Sequence, residues 1–63
     1  MEHNLTIKQI RGMLGLTQKE FAEKLEIKLS TYVNKENGRT EWSVKEIKTI
    51  MNLSQVPFDK IVV

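Results

Sequence analysis

The sequence predicts an all-α fold: a compact bundle of five short helices in one domain spanning residues 1–63. Three observations carry that expectation. A six-residue phrase occurs three times, at Leu5–Ile10, Leu16–Phe21 and Trp42–Ile47: an apolar residue, Thr or Ser, two further residues, Glu or Gln, and a second apolar residue. The hydroxyl in each can accept from the backbone N–H three residues on, the Glu or Gln can reach back to the N-cap N–H, and the apolar pair can staple the helix entrance. Apolar residues then recur at helical spacing after each phrase. Finally, the loops are short, and only Ile61-Val62-Val63 has the composition of a strand.

The first helix is expected from Ile7 to Leu14, with Ile7, Ile10 and Leu14 on one face. Gly15 is its stop, because glycine accepts a left-handed backbone at little cost, while Gly12 within it lowers its stability by about 0.5–1 kcal/mol relative to alanine. The second helix runs from Gln18 to Leu25 with Phe21, Ala22 and Leu25 inward. The third runs from Leu29 to Asn37 and stops at Gly38; Ile27, Tyr32 and the apolar part of Lys35 face inward. The fourth spans Val44 to Asn52 with Val44, Ile47, Ile50 and Met51 inward. Pro57 suits the first turn of a short fifth helix ending at Lys60, with Phe58 and Ile61 closing the core.

Composition removes several classes of function. A chain of 63 residues buries one modest core. Cysteine is absent, and the single His3 has no partner ligands, so neither a disulfide nor a metal site is expected, and no cofactor. No apolar run reaches membrane-spanning length, and the polar N-terminus lacks the apolar segment of a secretion signal, so a cytoplasmic location is expected. With no cluster of His, Cys and Asp, no nucleophile elbow and no glycine-rich phosphate loop, an enzyme is not expected. The net charge is only +2, but its distribution is uneven. Glu20, Glu23 and Glu26 lie on or just after the second helix, whereas Lys28, Lys35, Arg39, Lys45 and Lys48 follow it, suggesting a cationic side with an acidic back.

Thr17 to Gly38 reads as two short helices joined by a tight turn, the second carrying small, polar and basic residues on its outward face. That is the layout of a helix-turn-helix, which lays one helix in the DNA major groove. The third helix breaks the capping rule that its neighbours obey. Its N-cap position holds Lys28, which cannot accept the orphan N–H bonds and whose charge opposes the helix dipole. Either the helix begins later, at Ser30, or this end faces an anion such as a phosphate or a guanine edge.

These residues resemble the Cro/CI-type (XRE-like) helix-turn-helix regulators of phages and bacteria over about Ile7 to Ile61. The matching pieces are Gly15-Leu16-Thr17-Gln18, Glu20-Phe21-Ala22, Leu25, Ile27 and Lys35-Glu36-Asn37-Gly38, and the run from Thr31 to Gly38 with Glu41-Trp42-Ser43 is similar to small prophage regulators. The resemblance implies a lambda-repressor-like bundle in which the second and third helices form the helix-turn-helix and the third reads DNA. It also implies that Ala22 lies where these helices approach closely and that Arg11 and Glu36 form a structural ion pair. Three residues depart from the family pattern: Glu26 where the turn usually has glycine, Lys28 where Ser or Thr usually caps, and Glu41 where a base is common.

The residues expected to face base edges are Lys28, Leu29, Ser30, Val33 and Asn34. Asn34 suits adenine, Lys28 suits guanine or a phosphate, Ser30 suits either, and Leu29 and Val33 suit thymine methyl groups. The resemblance assigns phosphate contacts to Gln18, Asn37 and Arg39, and Lys19 and Lys45 are further candidates. It also implies a homodimer on two half-sites roughly 34 Å apart, for which Phe58, Ile61, Val62 and Val63 offer a surface; Val62 and Val63 can pack across a two-fold or pair as an extended segment. The expected function is therefore a Cro-like regulator, a repressor that binds double-stranded DNA. The alternative is a small antirepressor that keeps the fold but binds a phage repressor protein, and the chain is either whole or the N-terminal domain of a longer repressor.

Overall fold

The computed structural model describes residues 4–63; His3 and its predicted solvated role lie outside them. The order of elements is β1 (Leu5–Thr6), α1 (Ile7–Leu14), α2 (Gln18–Lys24), α3 (Leu29–Glu36), α4 (Val44–Ser54), a 3₁₀ turn (Phe58–Lys60) and β2 (Ile61–Val62). All three capping phrases form. Thr6, Thr17 and Ser43 accept from the N–H groups of Gln9, Glu20 and Glu46, and those side chains accept in return from the N-cap N–H groups.

The helix ends share a second device. Gly15, Glu26, Gly38 and Gln55 adopt positive φ, and each follows one of the four helices. The N–H of Leu16 bonds back to Arg11, that of Ile27 to Ala22 and that of Arg39 to Asn34, while the N–H before each closes a shorter loop. This paired arrangement satisfies carbonyls that a helix end leaves without partners. After α4, Gln55 closes a single bond to Met51.

The core is formed by Ile7, Ile10, Phe21, Ala22, Leu25, Tyr32, Ile47, Ile50, Val56 and Ile61. Phe21 and Tyr32 pack with ring centroids 5.6 Å apart, and Tyr32 meets Trp42 edge-on at the same distance. Such tilted and edge-on contacts favour the ring quadrupoles.

Three expectations need correction. The fifth helix is one 3₁₀ turn, so the bundle has four α-helices among the described residues. Pro57 is extended ahead of that turn, and Val56 and Ile61, not Phe58, point inward; Phe58 is 56% exposed. Val44, expected inward, is 73% exposed. It lies one turn before Ile47 and Lys48 and borders, with Phe58 and Val63, an open apolar groove that leaves it in contact with solvent. The strand-like C-terminus does extend, but it pairs in parallel with Leu5–Thr6 of the same chain, Leu5 beside Ile61 and Thr6 beside Val62. No helix among the described residues is long and apolar enough to cross a membrane.

Candidate nucleic-acid interface

The α2–turn–α3 unit is built on the inner face of α3. Tyr32 is fully buried and Glu36 closes the same face one turn later. The Glu36 carboxylate accepts from Arg11 Nε at 3.0 Å, from Gln18 Nε2 at 3.0 Å and from the Tyr32 hydroxyl. It therefore ties α1, α2 and α3 together at one point. Its side chain is only 4% exposed. Burial pushes its pKa up, but the hydrogen bonds from Tyr32, Arg11 and Gln18 and the charge of Arg11 outweigh that, and the carboxyl sits below its usual range. Burial first, then the bond to Glu36, holds the Tyr32 phenol well above its ordinary value, so Tyr32 remains a donor. The Arg11 guanidinium also donates to the carbonyl of Leu16, and its hydrogen bond to Glu36 raises its pKa further.

Lys35 locks the other side. Its Nζ donates to Glu46 Oε1 at 2.7 Å and to the carbonyl of Glu41 at 3.0 Å, and lies 5.8 Å from the Trp42 ring centroid. Glu46 is thus both the capping residue of α4 and the partner of Lys35. Burial raises its pKa, while Lys35 and the Ser43 N–H lower it by more, leaving the group depressed. The sequence pattern marked the aliphatic stem of Lys35 but not its ammonium partner, because the capping phrase had already accounted for Glu46.

The turn between the helices keeps a left-handed residue, with Glu26 at φ 60° where glycine would be unstrained. Lys28 occupies the N-cap of α3 in extended backbone and makes no side-chain cap bond. The start of α3 is therefore at Leu29, and a shift to Ser30 is excluded.

With the inner face of α3 locked, the outer face presents the residues singled out from the sequence. Lys28, Leu29 and Ser30 are exposed, and Val33 and Asn34 are half-buried. Spacings of four place Leu29 beside Val33 and Ser30 beside Asn34. Asn37 and Arg39 are exposed just beyond the helix, and the Arg39 N–H bonds to the Asn34 carbonyl at 2.9 Å. Lys19 and Lys45 are exposed in the first turns of α2 and α4. Gln18 is half-buried, and one N–H of its carboxamide is committed to Glu36, a pairing that no sequence signal announced.

The residues expected at a two-fold contact divide. Val62, Val63 and Phe58 are exposed, but Ile61 is 8% exposed and closes the core, so its side chain is not free for a partner. Phe58 and Val63 border an apolar groove of about 450 Å³ with Trp42, Ile47 and Met51.

Residues 7–61 match the family model described as helix-turn-helix. Comparisons with curated proteins and with solved structures return no significant match.

Proposed function

The chain belongs to the Cro/CI-type (XRE-like) helix-turn-helix family of DNA-binding transcription regulators, and from that premise we propose that it is a small repressor that reads an operator with the outer face of α3. The observation that carries this reading is the asymmetry of α3. Its inner face is fastened to α1, α2 and α4 through Glu36 and Lys35, whereas its outer face carries Leu29, Ser30, Val33 and Asn34 behind a lysine N-cap whose side chain makes no cap bond. A rigid helix with an accessible polar and apolar face is what insertion into a major groove requires.

In this reading Lys28, Asn37 and Arg39 grip phosphates at either end of α3, with Lys19 and Lys45 flanking them. Gln18 contributes its free N–H and carbonyl oxygen from the start of α2. Phosphate contacts set register and salt dependence, and the α3 side chains set sequence preference. One module makes few base contacts, so the operator is a palindrome bound by a homodimer. The exposed Phe58, Val62 and Val63 supply the two-fold contact beside the apolar groove.

Selection of bound duplexes from a random pool at near-physiological salt tests this. The expected product is a palindrome with half-sites one helical turn apart. A second reading, an antirepressor that binds a repressor protein, is favoured by the exposed acids Glu26 and Glu41 and by the exposed apolar Leu29. A pool that stays random around folded protein would favour that reading instead.

A further inference from the structure

We infer that the outer face of α3 recognises the C5-methyl groups of thymine, so that each operator half-site is centred on A·T pairs; this deepens the DNA-reading role proposed above and rests on it. Leu29 is 45% exposed and Val33 lies one turn after it, so two aliphatic side chains stand side by side on the accessible face. An isolated exposed leucine needs no explanation. Here the pair sits beside Ser30 and Asn34, and neither belongs to the core or to the apolar residues packed against it.

In the major groove only thymine offers an apolar group; every other base edge presents donors and acceptors. Pressing Leu29 and Val33 against those edges would strip water from polar atoms without replacing their hydrogen bonds. Thymine methyls are therefore the matching surface. Asn34 is the complementary reader, because a carboxamide bonds adenine N6 and N7 together.

The guanine side of the code is nearly empty on this face. Guanine is read best by an arginine fork. Arg11 is committed to Glu36 and the Leu16 carbonyl, and Arg39 lies past Gly38, outside the helix. Lys35 is turned to Glu46 and the Glu41 carbonyl. Lys28 alone remains, a point charge at the helix entrance.

Replacing thymine by deoxyuridine deletes the methyl and leaves every Watson–Crick bond in place, so the test needs no change to the protein. The duplex recovered from the random pool is compared with copies in which half-site thymines are exchanged for deoxyuridine, one position at a time. Binding of the unmodified chain is expected to weaken about fourfold for each contacted methyl, with no change for exchanges outside the half-sites. The loss should shrink in Leu29→Ala, an exposed position whose truncation leaves the core intact, with melting curves confirming the fold.

Equal binding to thymine and uracil duplexes, with sequence preference retained, overturns the inference and leaves DNA reading standing. A loss that persists undiminished in the Leu29→Ala, Val33→Ala double variant also overturns it, since another group then touches the methyl. A pool that stays random around folded protein overturns both this inference and the DNA-reading proposal, and points the Leu29–Val33 face toward a protein.

Discussion

Arg11 and Glu36 stand twenty-five residues apart in the chain and meet at 3.0 Å, the Arg11 Nε donating to Glu36 Oε2. The contact joins the first helix to the end of the third, and Tyr32 and Gln18 complete the shell around the carboxylate. Arg11→Met removes the cation and leaves a buried carboxylate held by two neutral donors. Breaking one side of a buried pair typically costs about 3–5 kcal/mol, and the partial exposure of Arg11 argues for the lower end. In a domain of this size the expected loss lowers the thermal midpoint by on the order of 15 °C. Calorimetry or a circular-dichroism melt measures it, and an unchanged midpoint would show that the pair is only decorative.

Acid should act through the same carboxylate. The pKa of Glu36 is depressed in the folded state, so the unfolded chain binds the proton more readily. Its contribution is fully present above the unfolded carboxylate value of about 4.3 and disappears as pH falls through the lower folded value. Glu46 acts in the same direction. Melts taken across this acidic window should fall steeply for the unmodified chain and less steeply for Glu36→Gln. Parallel curves would assign acid sensitivity to other groups.

Glu26 carries the strain of the turn. A non-glycine residue in the left-handed region costs about 1–2 kcal/mol, and Glu26 sits there at φ 60° with the Ile27 N–H bonded back to Ala22. Glu26→Gly is expected to gain about 1 kcal/mol after its extra chain entropy is subtracted. Denaturant midpoints test this, and a loss of stability would mean that the glutamate makes a compensating interaction.

Lys28→Ser separates folding from binding. A serine N-cap should stabilise α3 by about 1 kcal/mol, since the lysine makes no cap bond. The same change should weaken DNA binding and reduce the slope of log affinity against log salt by about 1. Gains in both stability and affinity would remove Lys28 from the interface.

Asn34 and Arg39 should differ in kind. Asn34→Ala is expected to cost about 1–3 kcal/mol on the selected operator and to relax preference at one base pair. Arg39→Ala should weaken binding to all duplexes alike. If neither variant changes binding while the fold survives, the α3 face is not the docking surface.

Three of the four helix starts are readable because capping is local: four residues of sequence contain the whole interaction at Thr6, Thr17 and Ser43. The stops at Gly15 and Gly38 were equally local. The stop at Glu26 was anticipated only through the family, since nothing about a glutamate advertises positive φ. Gln55 was not anticipated at all, and α4 runs two residues past its expected end to reach it. The long-range chemistry was legible in part. Resemblance placed Arg11 against Glu36, but the engagement of Gln18 by Glu36 and of Lys35 by Glu46 depends on helix positions that spacing alone does not define. The C-terminus was the hardest segment. Phe58, Val56 and Ile61 are all apolar, and which two turn inward is decided by the single 3₁₀ turn between them. On α3, Lys28, Leu29 and Ser30 are exposed and Val33 and Asn34 half-buried, and the contact of this face with DNA is the subject of the experiments above.

The parallel pairing of Leu5–Thr6 with Ile61–Val62 has a mechanical consequence. The chain enters the first strand at its beginning and leaves the second at its end. Tension applied between the two ends therefore draws the strands past each other lengthwise. The ladder bonds are loaded together instead of being peeled apart one by one. Because Thr6 is also the N-cap of α1, the load passes directly into the first helix. Pulled from its ends, the domain should yield in one abrupt rupture; gradual extension in a force-spectroscopy trace would show that the clasp had already opened.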